Sequence, residues 1–320
     1  MTGGRNAITM RVPVVILAAL ATLHLWPVAG PNRLPQNLDL MLQYVPNAAH
    51  LARGLADGTI PLWNPWQGGG LPFAANPGTG AWYPPSWALL WALPLWDAVR
   101  AGLWVHVALA VVGIWRCLRG PMRATTHGAL VGTAAFALSP WLPGLTGMPV
   151  VLTSLAWLPW VVDAGLRLMQ APRVMPRTVA ILALATAAQV ASGWPAGAYL
   201  SWLVFGAAMV LRSFRSGATL LARLPDRPNP PSRLSLRGKG GIPPFPEARR
   251  HGVRSGRGAP LQARLSSVLA AGALAAAIAA VVLIPAAEFI SRTTYSGTRP
   301  VESVANDGYL TLLSWLRPAA

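Results

Sequence analysis

Charge is scarce in this chain, and acid is scarcer than base. Only 11% of its 320 residues are Asp, Glu, Lys or Arg, where soluble domains carry about 25%. That excludes an ordinary water-facing surface. There are nine Asp and Glu against 26 Lys and Arg, so few carboxylates are on hand for acid–base work. A single cysteine, Cys117, excludes an intrachain disulfide and a cysteine metal site. It lies near the end of an apolar run, where it reads as a small helix-packing residue. What the chain has instead is apolar surface: 53% hydrophobic residues and a mean hydropathy of +0.44. Runs of this kind fit helices packed against one another and against lipid.

The net charge of +17 would suggest nucleic acid in a soluble protein. Here the cations fall mostly between apolar runs, as expected for the side of a membrane that retains positive loops, and no nucleic-acid partner is expected. Apolar periodicity predicts helices at about 12–29, 99–118, 129–147, 150–168, 178–193, 196–212 and 265–286. The Val12–Val28 run reads as an uncleaved first helix rather than a signal peptide. Ser86–Trp96, with Pro94 and the tryptophans Trp82, Trp87, Trp91 and Trp96 in and around it, reads as an interfacial or re-entrant helix. The expected fold is all-α: a polytopic membrane protein with about seven transmembrane helices.

Orientation follows from the arginines. Arg5 and Arg11, then Arg116, Arg119 and Arg123, then Arg167, Arg173 and Arg177, and the basic run between 212 and 264 fall on one face if the N-terminus is cytoplasmic. The opposite face receives Arg33, Arg53, Arg100, Arg292 and Arg299. The chain then divides into helices one to six with an outside loop at 30–85 (residues 1–212), a disordered basic cytoplasmic insertion (213–262), and helix seven with an outside loop (263–320). Another apolar run opens at Tyr309 and the sequence stops at Ala320, as if it were the front portion of a longer protein.

The long outside loop is rich in Trp, Asn, Pro and Gly together, unlike a linker, and long ordered loops tend to be functional. Asp39 and Gln43 share a face if their stretch is helical. Asp57-Gly58 reads as a turn, and no second acid stands beside Asp39, so a divalent metal has no support and no cofactor is called for. His50 reads as a surface histidine or as a partner of Asp39. Asp163 and Arg167, four residues apart, read as an ion pair, and His24, His106 and Gln189 as inter-helix hydrogen-bonding groups.

The loop carries a specific pattern: Asp39, Gln43, Tyr44 and Pro46; Gly58, Pro61, Leu62, Trp63, Asn64 and Pro65; Gly68, Gly69, Gly70 and Pro72; Asn76, Pro77, Tyr83 and Pro84. It resembles the YfhO-type bacterial membrane proteins. Two weaker stretches agree: Gly193-Trp194-Pro195 with Tyr199, where that family has Gly-His-Pro, and Pro285–Phe289 followed by Ser291 and Arg292. The resemblance implies a GT-C-like glycosyltransferase in the bacterial inner membrane. It would move sugar from a polyprenyl-phosphate donor to a cell-envelope glycopolymer on the outer face, with membrane lipid around it.

The resemblance gives the catalytic base to Asp39; helix capping is the alternative for that residue. Substrate contacts would come from Gln43, Tyr44, Trp63, Asn64, Asn76 and Tyr83. Arg53 and Arg292 are candidate phosphate contacts, with Arg53 alternatively snorkelling to the interface, and Glu288 is a candidate for the same site. A lipid-linked sugar transporter and a truncated, non-catalytic assembly protein are the competing readings. The family is normally longer than this chain.

Overall fold

A computed structural model of the chain describes residues 17, 19, 21, 23–26, 29, 30, 33–35, 37–67, 69–221 and 260–292. The expected loop after 292, the apolar run from Tyr309, Gly68 and most of the basic insertion lie outside them. The protein is mostly helical. An N-terminal helical segment ends at Ala29. After a π-helical stretch, Asp39–Tyr44, come α1 (Val45–Ala56), β1 (Trp63–Asn64), β2 (Leu71–Pro72), a 3-10 turn (Pro77–Thr79), α2 (Pro84–Ala92) and α3 (Leu95–Arg119). Then follow α4 (Thr126–Ala137), α5 (Trp141–Leu145), α6 (Pro149–Ala156), α7 (Leu158–Gln170), α8 (Pro176–Ala191), α9 (Ala196–Leu221) and α10 (Leu261–Arg292).

Four helical stretches among the described residues are long and apolar enough to cross a membrane: Leu95–Arg119, Pro149–Gln170, Ala196–Ser213 and Leu261–Glu288. Pro176–Ala191 is apolar but shorter. The expected 129–147 helix is two helices, α4 and α5. Its break falls at Ser139–Pro140, because proline has no amide hydrogen to continue the ladder and disfavours helix in the residue before it. The expected 150–168 helix is likewise jointed at Trp157, two residues before Pro159. At the other extreme, α9 runs helically into the segment read as insertion, as far as Leu221.

Two apolar clusters hold the helices. One joins Leu17, Ala21 and Leu25 of the N-terminal segment to Leu103, Val107 and Val111 of α3, Ala129 of α4 and Leu152 of α6. The other joins Val161–Leu168 of α7 to Leu182–Ala187 of α8, Phe205 of α9 and Val268, Ala271 and Ala275 of α10. Alanines at 271, 275 and 279, one turn apart and all buried, let α10 lie close on α8, as small residues do between membrane helices. The α3–α7 contact bridges the clusters. A Cβ on Gly113 would stand 2.7 Å from Nε1 of Trp160, so the glycine gives the indole its seat. That indole donates to the Leu109 carbonyl at 3.0 Å. Cys117 is buried in the second cluster, as its helix-packing reading expects.

Asp163, 1% exposed, accepts from Arg167 Nε at 2.9 Å. The i,i+4 pair is therefore present, and Arg116 of α3 joins it at 3.3 Å. His24 bonds the Ser139 carbonyl at 3.2 Å. Gln189 Nε2 reaches the carbonyls of Ser154 and Gly197 and the Ser201 hydroxyl at 3.0, 3.2 and 2.7 Å. Both act between helices, as the cost of unpaired polar groups in an apolar setting demands.

Candidate functional site

Asn37 opens the site. Its Oδ1 accepts from the Asp39 amide at 2.8 Å, and the chain then winds into the wide π turn Asp39–Tyr44. A π turn holds more than four residues, so residues four and five apart come to one side. Asp39, Gln43 and Tyr44 accordingly line one cleft of about 80 Å³ with Gly78, Met148, Pro149, Val150 and Val151. Asp39 and Gln43 are exposed to it. Among the described residues Asp39 caps nothing with its carboxylate; its amide is the capped group. Burial pushes the Tyr44 phenol up to about 12. Pro149 begins α6, so the positive end of that helix's backbone dipole borders the cleft.

The rest of the wall is built by two turns. Asn76 caps the 3-10 turn through Oδ1, which accepts from the Gly78 amide at 2.9 Å. Gly80 follows at φ +63° and Gly193 stands at φ +108°, backbone conformations that favour glycine. A Cβ on Gly80 would be 3.2 Å from the Ser192 carbonyl; one on Gly193 would be 3.2 Å from the Pro77 carbonyl and 3.0 Å from Val150. The Asn76–Gly80 turn and the Gly193-Trp194-Pro195 stretch, separately marked in the sequence, therefore meet behind the cleft. Gly78 of the turn lines the cleft directly, and Val150 lies between Gly193 and the cavity.

The remaining candidate residues sit elsewhere. Trp63 is 53% exposed in the short β1–β2 ladder, opposite Pro72, and its carbonyl receives His50 Nε2 at 3.0 Å. Asn64 is buried, and its Oδ1 accepts from the Trp66 amide at 3.0 Å. His50 stacks edge-on against Phe73, so its partners are these loop groups. Arg53 is exposed in the last turn of α1 and Asp57 is exposed at its C-cap; neither lines the cleft. Glu288 is exposed near the end of α10, away from the cleft lining, and the side chain of Arg292 is outside the described residues.

Tyr83 is 1% exposed and fully engaged. Trp157 Nε1 donates to its hydroxyl at 2.8 Å, and the hydroxyl contacts His106 Nε2 at 2.7 Å. His106 Nδ1 is 2.6 Å from the Gly102 carbonyl, an acceptor, so Nδ1 carries the proton and Tyr83 donates to Nε2. Burial raises the Tyr83 phenol further than that of Tyr44. Tyr83 is thus a tie between α2, α3 and the Trp157 joint, its hydroxyl taken up by its partners.

Sequence reasoning missed the Met148–Val151 wall, an apolar stretch with no chemical signature. It also missed two cavities. One, small, has Tyr44, Thr79, Ser86, His106, Thr153 and Ser192 in its lining; Tyr44 separates it from the cleft, lining both. The other, about 420 Å³, is apolar and lies between Trp82, Trp87, Trp157, α8 and α10. Among the described residues no group of three His, Cys, Asp or Glu side chains converges. No known protein family, curated protein or solved structure matches the chain.

Proposed function

We propose that this chain is a YfhO-like membrane glycosyltransferase with GT-C-like architecture, and that it moves a sugar from a polyprenyl-phosphate donor to a cell-envelope acceptor. The observation that carries the reading is the cleft itself: an exposed carboxylate, Asp39, beside the Gln43 amide and the start of a candidate membrane span. The meeting of the Asn76–Gly80 and Gly193–Pro195 stretches behind it adds support, because the resemblance rests on both. On this reading the full set of about seven spans sits in a bacterial inner membrane with the N-terminus cytoplasmic, and the cleft opens on the outer face.

The chemistry asked of the cleft is modest. Asp39 takes the proton of the acceptor hydroxyl as that oxygen bonds to the anomeric carbon, while the bond from that carbon to the phosphate oxygen breaks. The phosphate leaves with the lipid, its charge steadied by the α6 N-terminus. Gln43 is suited to hold a sugar hydroxyl, and the Tyr44 phenol, neutral at ordinary pH, is suited to donate a hydrogen bond.

The test is transfer from radiolabelled polyprenyl-phosphate-sugar in membranes carrying the protein with Asp39→Asn. Loss of a general base lowers the rate by about 10²–10⁴-fold, and a drop of that order is expected. Full transfer by the variant removes Asp39 from catalysis. A wild-type protein that transfers nothing but carries the lipid between leaflets is a transporter instead.

A further inference from the structure

The arginine-bearing end of the helix bundle has more hydrogen-bond donors than the described residues satisfy. Arg116 and Arg119 lie in the last turn of α3 and Arg167 in the last turn of α7. Arg212 lies next to the end of the Ala196–Ser213 stretch, and Arg264 is the fourth residue of α10. The groups are neighbours. Arg116 and Arg167 share Asp163. Arg212 donates to the Pro121 carbonyl at 2.9 Å, Arg264 to the Met169 carbonyl at 2.8 Å and Arg119 to the Ala124 carbonyl at 2.7 Å. Five guanidinium groups thus gather at the ends of the four candidate spans, two of them on one carboxylate.

Carbonyls at helix ends do not exhaust them. A guanidinium has five N–H donors. Buried Nε atoms of Arg116, Arg119 and Arg264 and the buried Nε2 of Gln170 have no acceptor among the described residues. These four are all donors, and all lie at this end. The orphan polar atoms elsewhere among the described residues are Asn47 Oδ1, Gln189 Oε1 and the Thr133 hydroxyl. Buried donors without acceptors are costly, and a cluster of them asks for an acceptor-rich partner. The arginines are also reachable: the Arg116 and Arg167 side chains are each 41% exposed.

We propose that this end binds the phosphodiester head group of an anionic phospholipid, through Arg116, Arg119, Arg167 and Arg264. The depth selects the ligand. Arginines at the ends of spans lie at the level of lipid head groups, and each is worth about 1 kcal/mol toward an anionic surface. A phosphodiester supplies negative charge and several acceptor oxygens together, and arginine meets it in a two-pronged geometry. The proposal is independent of the chemistry assigned to the Asp39 cleft.

The experiment uses the full chain in nanodiscs of phosphatidylcholine or of an equal mixture of phosphatidylcholine and phosphatidylglycerol, with retained lipid measured by native mass spectrometry after extraction. Wild type is expected to retain phosphatidylglycerol on the order of tenfold over phosphatidylcholine, and Arg119→Gln with Arg264→Gln to abolish the preference. Arg119→Lys with Arg264→Lys keeps the charge and is expected to restore most of it, which separates lost binding from lost folding. Arg33→Gln, exposed toward the other end, is expected to change nothing. Equal retention of both lipids by wild type overturns the proposal. So does a double Gln variant that keeps the preference, or an Arg33→Gln variant that loses it. Displacement of the retained lipid by inorganic phosphate assigns the site to free phosphate and equally overturns it.

Discussion

The two ends of the helix bundle are tied together by different donors. At the cleft end the ties are indoles: Trp82 to the Ala74 carbonyl at 2.8 Å, Trp87 to Ala81 at 2.7 Å and Trp104 to Ala29 at 3.1 Å. An indole has one neutral donor, and each of these is used up. At the other end the ties are guanidinium groups, which close helix ends and still have donors to spare. Saturated neutral bonds make a scaffold indifferent to salt. Unsaturated charged ones make a surface that responds to ions and lipid. The candidate chemistry sits at the end tied by indoles, where Asp39 and Gln43 are exposed to the cleft.

The contrast can be broken first at Gly197. A Cβ there would stand 2.1 Å from Ser154 Oγ, which donates to the carbonyls of Gln189 or Trp194 at 3.1 and 2.8 Å. Gly197→Val is expected to cost about 3 kcal/mol, read as a lowered unfolding midpoint in detergent, with no dependence on salt. Arg167→Met at the other end leaves the Asp163 side chain, 2% exposed, with Arg116 alone. A loss of about 2 kcal/mol is expected, discounted because the arginines are partly in water. Here salt decides: wild-type stability should fall with added salt while the variant's stays nearly flat. If both variants respond to salt alike, the two ends do not differ in the way argued.

Tyr83→Phe tests a neutral tie. It strands the Trp157 indole N–H and His106 Nε2, at a cost of about 1–2 kcal/mol, with sugar transfer retained in proportion to folded protein. A selective loss of transfer would put Tyr83 in contact with substrate. The smallest expected effect is alkaline. The folded Tyr44 phenol titrates near 12, above its ordinary value of 10. Its contribution to stability is whole below pH 10 and is lost as pH rises through the folded value. Tyr44→Phe should therefore flatten part of the stability decline above pH 10 and change nothing at neutral pH.

The sequence shows much of this in advance where one residue type has one good use. Long apolar runs have to be helices, Asp163 four residues before Arg167 has to be paired in an apolar setting, and Asp39 and Gln43 come to one face once their stretch winds. It shows less where partners come from distant segments. Nothing local marks Val150 as the wall between Gly193 and the cleft, or Arg116 as a second partner for Asp163. Asn64 and Asn76 look like ligand-binding amides, but short loops use asparagine for their own turns, and here both bond nearby backbone amides. Tyr83 looks like a sugar platform; its hydroxyl is spent on Trp157 and His106.

The joint at Trp157 makes the Pro149–Gln170 span two levers rather than one girder. The arm from Pro149 to Ala156 carries the cleft wall, and the arm from Leu158 to Gln170 carries Asp163 and Arg167. Pro159 offers no amide hydrogen, so the rungs that would weld the arms into a rod are interrupted beside the pin. The pin itself is moored by its indole to Tyr83. The cleft wall and the charged end are therefore joined across Trp157 and not through an unbroken helical ladder.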